Sequence, residues 1–493
     1  MPSTCKNCTT QSVWEHTVTK IVIIGAGLTG LSAAYHLEKK EFYSFKIFEK
    51  EAEIGGLCRS VQQDGFTFDF TGHLLHVNDP YFQQLLTDIF GFDNFHAITR
   101  KSFVYSHDTY TPYPYQMHLH GLPPQIIIDC INGYINRKNS KQKPKNFYQW
   151  VLQHFGTGFA NHFFSPYQQK IFAYDPRKIT ASWTGRFVPS TTLDQILHGA
   201  LAPHIEKNIG YNSQFFYPKS GGIISWVNKL AQSISAPLQT NYCVQTIDIK
   251  NKTVIFTNGH TESYDQLIST IPLTQLLNCI QDRPSTAFNH AHDKLLCNSV
   301  INFNLGINRP DLSDKHWIYF PEKQYPFYRL GFPHNLSPNS VPANCSSLYG
   351  EFAHLNKSHA YIQRTLATAI QATQKLLNIA DSDIITKKII TIPHAYVIFN
   401  FWREQNLQKL LTRLQQESIY SMGRYGEWKY SSMQEAILDG KKIADTLTIL
   451  PAHTINHPSV HPAEPGVLRP RSPRVYRGED ARNKKTNLTQ ESI

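Results

Sequence analysis

The sequence predicts an α/β protein in which a parallel sheet with helices is interrupted by a mainly helical region and by an antiparallel sheet. Three observations lead to this prediction. The apolar run at 20–24 (KIVII) is typical of a buried parallel strand, and a glycine-rich turn and a helical stretch follow it. The middle of the chain, roughly 120–205, shows the i, i+3, i+4 apolar spacing of helices. The segment 296–351 reads as several strands.

A first βαβ unit joins the strand at 20–24 to a second strand, SFKIFEK, which ends in Glu49. Between them, Gly25, Gly27 and Gly30 form a G-x-G-x-x-G turn that opens a helix. Such glycines permit a tight turn and a close approach of a pyrophosphate, and the helix N-terminus offers it free N–H groups. A carboxylate at the end of the second strand is placed to accept hydrogen bonds from a ribose. The unit therefore predicts a Rossmann-like dinucleotide-binding domain.

The segment EKEAEIGGLCRS indicates which dinucleotide binds. Its second glycine pair, Gly55 and Gly56, and the nearby Arg59 resemble the FAD-binding flavoproteins with two dinucleotide-binding motifs, known as the GR2 type. The late segment GRYGEWKY and the helix after it also resemble that fold, which returns its C-terminal helix to the flavin. We therefore expect FAD as the cofactor. The residues expected to bind it are Gly25, Gly27, Leu28, Thr29, Gly30, Glu49, Lys50, Gly56, Leu57, Arg59, Gly72, His73, Gly423 and Gln434.

The predicted elements divide the chain into four parts. A discontinuous FAD-binding domain is expected from 19–85, 215–295 and 396–450, with a mainly helical substrate or cap domain at 86–214. A β-sheet substrate domain is expected at 296–395. The Pro- and Arg-rich segment 451–493 lacks apolar periodicity and is predicted to be a disordered basic tail.

Charge and composition narrow the function classes. The net charge of +11 is spread along the chain, which suits an anionic small substrate, so no nucleic-acid partner is expected. No apolar run reaches the ~18 residues of a membrane span, and residues 1–18 lack the apolar core of a signal peptide, so we expect no membrane insertion and a cytoplasmic location. Of eight cysteines only Cys5 and Cys8 have metal-like spacing, so reduced thiols and no metal site are expected.

The stretch HWIYFPEKQYPFYRL, 316–330, crowds six aromatic rings around Arg329. An arginine side chain suits a pyrophosphate because its planar fork stays ionised and donates paired hydrogen bonds. Aromatic faces suit a uracil ring or the apolar face of a sugar. The stretch therefore suits an anionic ligand with a ring.

Five ordered segments resemble UDP-galactopyranose mutase, particularly its eukaryotic-type branch, within the wider amine oxidase and protoporphyrinogen oxidase-like group. The resemblance spans most of 20–447, and its segments are FTFDFTGHLLH, RKSFVYSHDTYTPYPYQMHLHGLP, YNSQFFYPKSGG, the aromatic stretch and IYSMGRYGEWKY. It implies that the ligand of the aromatic stretch is a nucleotide-linked sugar, and it implies the interconversion of UDP-galactopyranose and UDP-galactofuranose in glycan biosynthesis. In that chemistry N5 of the reduced flavin attacks the anomeric carbon and UDP leaves, then the sugar ring opens and recloses as the furanose, and UDP returns to the anomeric carbon. NAD(P)H is a candidate reductant.

The same resemblance implies roles for individual residues. Arg329 and Arg424 would clamp the diphosphate, His73 would hydrogen-bond beside the flavin, and these three are the expected catalytic residues. Trp317 and Tyr319 would form a ring-lined lid over the sugar. The full set expected to bind substrate is Arg100, Tyr113, Tyr115, Gln116, Gln168, Phe172, Asn212, Trp317, Tyr319, Arg329, Tyr396, Arg424 and Tyr430.

Three departures from the mutase pattern keep other functions open. Gln168 and Phe172 stand where the mutase has Asn and Trp, Leu336 replaces a tyrosine of its mobile flap, and Gln434 and Glu435 replace part of an Asn-Gln-Asp run. The alternative function is an FAD-dependent oxidoreductase that oxidises an amine or a porphyrinogen. A non-catalytic FAD-bound scaffold is a third interpretation, which the presence of His73 and Arg329 disfavours.

Overall fold

A computed structural model describes residues 19–138, 142–203, 213–281 and 290–447. Asn212, Cys5, Cys8 and the predicted tail 451–493 lie outside the described residues. The strands are, in chain order, β1 (Ile21–Ile24), β2 (Phe45–Phe48), β3 (Ser60–Gln63), β4 (Phe66–Asp69), β5 (Phe95–Thr99), β6 (Ser102–Ser106), β7 (Thr109–Pro112), β8 (Gln214–Pro218), β9 (Leu238–Gln239), β10 (Val244–Asp248), β11 (Thr253–Phe256), β12 (Thr261–Ser263), β13 (Gln266–Ser269), β14 (Ser299–Ile307), β15 (Trp317–Tyr319), β16 (Arg329–Gly331), β17 (Ser346–His354), β18 (Ile384–Ile392) and β19 (Ile419–Ser421).

Thirteen α-helices are present among the described residues. They are α1 (Leu28–Glu38), α2 (Pro80–Phe90), α3 (Pro124–Ile135), α4 (Phe147–Phe159), α5 (Ser165–Phe172), α6 (Leu193–Leu201), α7 (Ile224–Gln232), α8 (Leu273–Cys279), α9 (Ala291–Lys294), α10 (His359–Leu377), α11 (Phe401–Gln416), α12 (Gly423–Gly426) and α13 (Met433–Thr446). Of these, α3 to α6 fall in the region 120–205 that was predicted to be helical. None of the helices among the described residues combines the length and the apolar composition that crossing a bilayer requires.

The predicted parallel sheet is present, with strand order β19-β13-β1-β2-β9 and parallel pairing throughout. All four residues of β1 are buried. Val22 and Ile24 belong to one apolar core and Ile21 and Ile23 to another, so both faces of the strand are covered. This explains why β1 reads as a continuous apolar run without alternation. Turns that leave the carboxyl ends of β1, β2, β13 and β19 all open at the same edge of this sheet.

A second sheet has the order β18-β14-β17-β16-β15-β6-β7. Its pairings are antiparallel except for β15 with β6, which is parallel, so the sheet expected to be antiparallel is mixed. Strands β6 and β7 come from the region predicted to be mainly helical. They are joined at His107 and Asp108, which have φ values of 51° and 55°. Tight hairpins of this kind usually use glycine or asparagine, so the sequence signal for this hairpin is weak.

Side-chain caps begin two of the helices. Asp79 caps α2 by accepting a hydrogen bond from the backbone N–H of Phe82 at 3.0 Å, and Pro80 is its first residue. Ser358 caps α10 in the same way, accepting from Tyr361 N–H at 3.3 Å. Side-chain oxygens at these positions satisfy N–H groups that the helix itself leaves unpaired.

Helix α13 packs against α1 at Gly440. A Cβ atom added there would lie 2.5 Å from the Cβ of Ser32 and 2.6 Å from the carbonyl oxygen of Thr29. Glycine is therefore required so that the last helix can approach the helix that follows the glycine-rich turn.

We predict that Gly440→Ala lowers the melting temperature, because overpacking reduces the free energy of unfolding by about 1–3 kcal/mol. The direction of the change is informative, because replacing glycine by alanine inside a helix without such a clash raises the free energy of unfolding by about 1 kcal/mol. Gly185→Ala is the matched control, since a Cβ atom at Gly185 would have no heavy atom within 4 Å. Calorimetry on both variants measures the difference, and an unchanged or raised melting temperature for Gly440→Ala contradicts the packing argument.

Candidate active site

A cavity of about 1110 Å³ opens at the carboxyl edge of the parallel sheet and extends to the seven-stranded sheet. This volume exceeds the roughly 300–1,000 Å³ of typical small-molecule sites. At one end the glycine-rich turn after β1 lines it, and at the other end side chains from β15, β16 and α12 line it. The predicted cofactor and substrate residues therefore share one continuous space.

The glycine-rich turn leaves room for a ligand. Gly27 and Gly56 both line the cavity and approach each other closely, since a Cβ on Gly27 would lie 3.9 Å from the Cα of Gly56 and one on Gly56 would lie 3.3 Å from the Cα of Gly27. The absence of side chains at both positions leaves the backbone of the two turns open to the cavity. Gly30 serves packing instead, because its Cβ would lie 1.9 Å from the carbonyl oxygen of Gly25. The bare backbone at the start of α1 fits the pyrophosphate of a dinucleotide.

Glu49 lines the cavity at the end of β2 and is buried. One of its carboxylate oxygens accepts from Ala26 N–H at 2.8 Å and the other from Glu51 N–H at 3.0 Å. These two bonds fix the carboxylate beside the turn. Carboxylate oxygens can each accept a further hydrogen bond, as a ribose hydroxyl would require.

The remaining residues predicted to bind FAD divide into two groups. Those that line the cavity with Gly25, Gly27, Glu49 and Gly56 are Leu28, Thr29, Lys50, Leu57, Arg59, Gly72 and His73. Gly30, Gly423 and Gln434 do not belong to the lining. Gly423 packs on Thr29, whose Oγ1 would lie 2.5 Å from an added Cβ. The side-chain oxygen of Gln434 accepts from Asn78 N–H at 2.8 Å and Asp79 N–H at 3.0 Å, so it holds the start of α2.

Arg329 and Glu351 form a paired charge in the cavity wall. They are direct neighbours across β16 and β17. Arg329 Nε and Nη2 donate to the two carboxylate oxygens of Glu351, each at 2.8 Å, and Glu351 is fully buried. The charge of Arg329 is therefore balanced within the protein, and its Nη1 group remains to donate to a ligand.

Arg424, at the start of α12, is held by carbonyl groups and rings. Its Nη1 donates to Ser431 O at 2.8 Å and its Nη2 to Ala395 O at 3.4 Å, while its buried Nε has no partner. Tyrosine rings surround the guanidinium with centroids 5.5–6.0 Å away, and they belong to Tyr396, Tyr425 and Tyr430. Among the described residues, no carboxylate lies within 4.0 Å of it. Arg424 thus gives this wall a net positive charge.

His73 lies between the cofactor end and the arginines. Burial, and then the positive charges of Arg424 and Arg329, lower the pKa of His73 to about 4. At neutral pH its imidazole is therefore uncharged, and its Nδ1 is buried without a partner. The preceding Gly72 is required because an added Cβ would lie 2.2 Å from the hydroxyl oxygen of Tyr349.

An aromatic wall covers the far end of the cavity. Strand β15 lies inside the sheet between β16 and β6, so Trp317 and Tyr319 sit on a fixed strand rather than on a separate lid. The ring of Tyr319 contacts Tyr113 and Tyr167, with centroids 5.3 and 5.4 Å apart. The predicted substrate residues that line the cavity are Tyr113, Gln116, Gln168, Phe172, Trp317, Tyr319, Arg329, Tyr396, Arg424 and Tyr430.

Two predicted substrate residues lie behind this wall. Tyr115 is fully buried and stacks on Phe163 at 4.9 Å, so it supports the lining from the core. Arg100 is buried with its guanidinium 5.2 Å from the ring of Tyr113, outside the lining. Both residues act on the cavity only through their neighbours.

Several lining residues were not predicted. Tyr328 and Tyr425 directly adjoin the two predicted arginines, so their place in the sequence carried a usable signal. Tyr349 lines the cavity from β17, and Glu351, two positions further on the same face, supports Arg329 there. Their partner strand is remote in sequence, so no local pattern indicated them. Among the described residues, no group of three or more His, Cys, Asp or Glu side chains could hold a metal ion.

The parallel sheet, the glycine cradle and the adjoining cavity define a dinucleotide-binding flavoprotein. The family model "Flavin containing amine oxidoreductase" matches residues 28–447, and the chain belongs to this family. Membership implies FAD, and the bare turn, Glu49 and the volume of the cavity fit that cofactor.

Solved structures share this fold. A crystal structure of reduced UDP-galactopyranose mutase aligns with a TM-score of 0.81 at 27% identity, covering 87% of this chain and 93% of that one. A putative protoporphyrinogen oxidase from Exiguobacterium sp. 255-15 aligns with a TM-score of 0.68 at 14% identity, covering 87% and 98%, which shows the fold alone.

Curated relatives match over a short segment. A 4,4'-diapophytoene desaturase from Staphylococcus haemolyticus (strain JCSC1435) is 43% identical over 61 residues, 12% of this chain. The matched segment of this chain thus spans 12% of the length of that relative.

We predict that Gly27→Val abolishes FAD retention while the apoprotein keeps its melting temperature. Gly27 lines the cavity, so the added side chain would cover the bare backbone of the turn on which the pyrophosphate would lie. Flavin absorbance after gel filtration and calorimetry of the apoprotein measure the two effects. Gly185→Ala, with open space around its Cβ, is the control, and a flavin-loaded Gly27→Val protein contradicts the assignment.

We also predict that Arg424→Met raises the pKa of His73 from about 4 towards its ordinary value near 6.5. Removing a nearby positive charge makes the protonated imidazole less unfavourable. Titration of ¹⁵N-histidine-labelled protein by NMR follows this change. Arg413→Met, which removes a cation paired with Glu417 on α11, should leave the pKa of His73 unchanged.

Proposed function

We propose that the protein is an FAD-dependent enzyme that acts on a nucleotide-linked sugar and interconverts UDP-galactopyranose and UDP-galactofuranose. The observation that carries this proposal is Arg424, a guanidinium without a carboxylate partner among the described residues, in the same cavity wall as Arg329. A net positive charge inside a concave site favours an anionic ligand, and a diphosphate supplies two negative charges.

The residues of the far wall suit the rest of such a substrate. The side chains of Trp317, Tyr319, Tyr396 and Tyr430 present ring faces for a uracil or a sugar. Buried groups without partners in the same wall include the Tyr328 hydroxyl and the Trp317 Nε1 group. These donors would gain partners from the hydroxyl and carbonyl oxygens of a nucleotide sugar.

Each part of the chain then has a role in the reaction. Arg424 and the Nη1 group of Arg329 would hold the diphosphate and stabilise the charge of the departing UDP. Neutral His73 would hydrogen-bond at the cofactor end without taking up a proton at neutral pH. When bound and reduced, FAD supplies a nucleophilic nitrogen for the anomeric carbon. The mutase likeness, at 27% identity over 93% of the solved chain, supports this assignment.

A second candidate function is net substrate oxidation by FAD. The description of the matched family, "Flavin containing amine oxidoreductase", favours it. The two functions differ in what they consume, because ring interconversion leaves the substrate's redox state unchanged. Net oxidation requires oxygen or another acceptor.

We predict that dithionite-reduced protein converts UDP-galactofuranose to UDP-galactopyranose without stoichiometric oxygen uptake. Arg424→Met should weaken UDP-sugar binding by about ten- to a hundredfold, the loss expected from removing a charge-assisted donor. Arg413→Met is the charge-matched control outside the cavity. Chromatography of the products, an oxygen electrode and flavin fluorescence titration provide the readouts.

Two outcomes would contradict the proposal. One is a failure of millimolar UDP to perturb the flavin spectrum in either redox state. The other is stoichiometric oxygen consumption with an amine or a porphyrinogen, which would establish the second candidate function.

A further inference from the structure

Lys170 is a buried lysine that the proposed reaction does not use. It lies on α5, whose neighbouring residues Gln168, Ile171 and Phe172 line the cavity, whereas Lys170 itself does not. Its ammonium group donates to Phe320 O at 2.6 Å and to Glu322 O at 3.0 Å. Both acceptors belong to the connection between β15 and β16.

This contact joins α5 and β15, which form two walls of the cavity at the end predicted to bind the substrate. Phe320 follows β15 directly, and β15 supplies Trp317 and Tyr319 to the cavity. Tyr167, also on α5, contacts the Tyr319 ring at 5.4 Å. Helix α5 and β15 are therefore connected by a ring contact at the cavity and by the Lys170 amine behind it.

The surroundings of Lys170 make this connection sensitive to its charge. Burial lowers the pKa of Lys170 to about 7, and the Glu322 carboxylate opposes this shift. Glu322 accepts from His107 N–H at 3.1 Å, and the His107 ring lies 6.0 Å from the His162 ring, which pairs with Asp129 at 3.1 Å. A buried amine must keep its hydrogen bonds, because burying a polar group without a hydrogen-bond partner costs free energy of folding.

We propose that Lys170 is a positioning residue that holds α5 and the end of β15 at the separation required to bind the substrate between them. This inference rests on the proposed function. A misplaced β15 weakens the contact of the Trp317 and Tyr319 rings with the uracil or the sugar, while the glycine-rich turn at the other end of the cavity keeps its geometry. The effect therefore falls on KM and spares kcat.

The kinetic test compares reduced holoenzymes with UDP-galactofuranose. Lys170→Met should raise KM about tenfold or more and change kcat less than about threefold. Methionine has a side chain of similar length but lacks the amine that donates the two hydrogen bonds to Phe320 O and Glu322 O. Lys170→Arg should restore most of the affinity. Lys178→Met, at an exposed lysine of the same region, is the control.

The pH dependence of KM is a second test. The wild-type KM should rise as pH increases through about 7, and the KM of Lys170→Arg should not change over this range.

Hydrogen–deuterium exchange provides a readout that does not depend on the substrate. In the FAD-loaded protein, Lys170→Met should exchange faster than wild type in the peptide covering 317–325, and Lys178→Met should not. Unchanged exchange overturns the inference, as does faster exchange with an unchanged KM. If wild type converts no UDP-hexose, the proposed function fails. In that case the role of Lys170 in substrate binding fails with it, and exchange still shows whether Lys170 joins the two walls.

Discussion

The candidate site depends on the position of the Arg424 guanidinium in the cavity wall. Among the described residues, no carboxylate pairs with this guanidinium to balance its charge. Two backbone carbonyls and three tyrosine rings hold the charge in place. The nearby Arg329 is different, because Glu351 neutralises it. The wall therefore carries one net positive charge, which favours an anionic ligand and adds to burial, the larger cause, in lowering the pKa of His73.

The two sheets bring this charge to the same cavity as the glycine-rich turn. The parallel sheet ends its strands at one edge, where the turn after β1 and the carboxylate after β2 line the cavity. The short strand β19 leads from the same edge into Arg424. The seven-stranded sheet presents Arg329 and the rings of β15 from the other side. Residues that are distant in sequence thus meet in one cavity because two different sheets end at it.

Local patterns predicted much of this arrangement, and long-range pairing explains the rest. The glycines at 25–30 and Glu49 could be assigned because their roles depend on a single βαβ unit. Glu351 could not, since its pairing with Arg329 depends on the register of β16 with β17. Gln434 was expected at the cofactor, but its side chain accepts hydrogen bonds from the backbone N–H groups of Asn78 and Asp79, directly before α2. Trp317 was expected on a lid, and the parallel pairing of β15 with β6, which no local pattern indicates, places it within a sheet.

The most direct test of the account is a crystal structure of the dithionite-reduced protein soaked with a UDP-hexose. The account predicts that the diphosphate lies within hydrogen-bond distance of both the Arg424 guanidinium and Nη1 of Arg329, with Glu351 still paired to Arg329. Density that places the diphosphate away from Arg424, or an anionic protein side chain occupying that position, would contradict it.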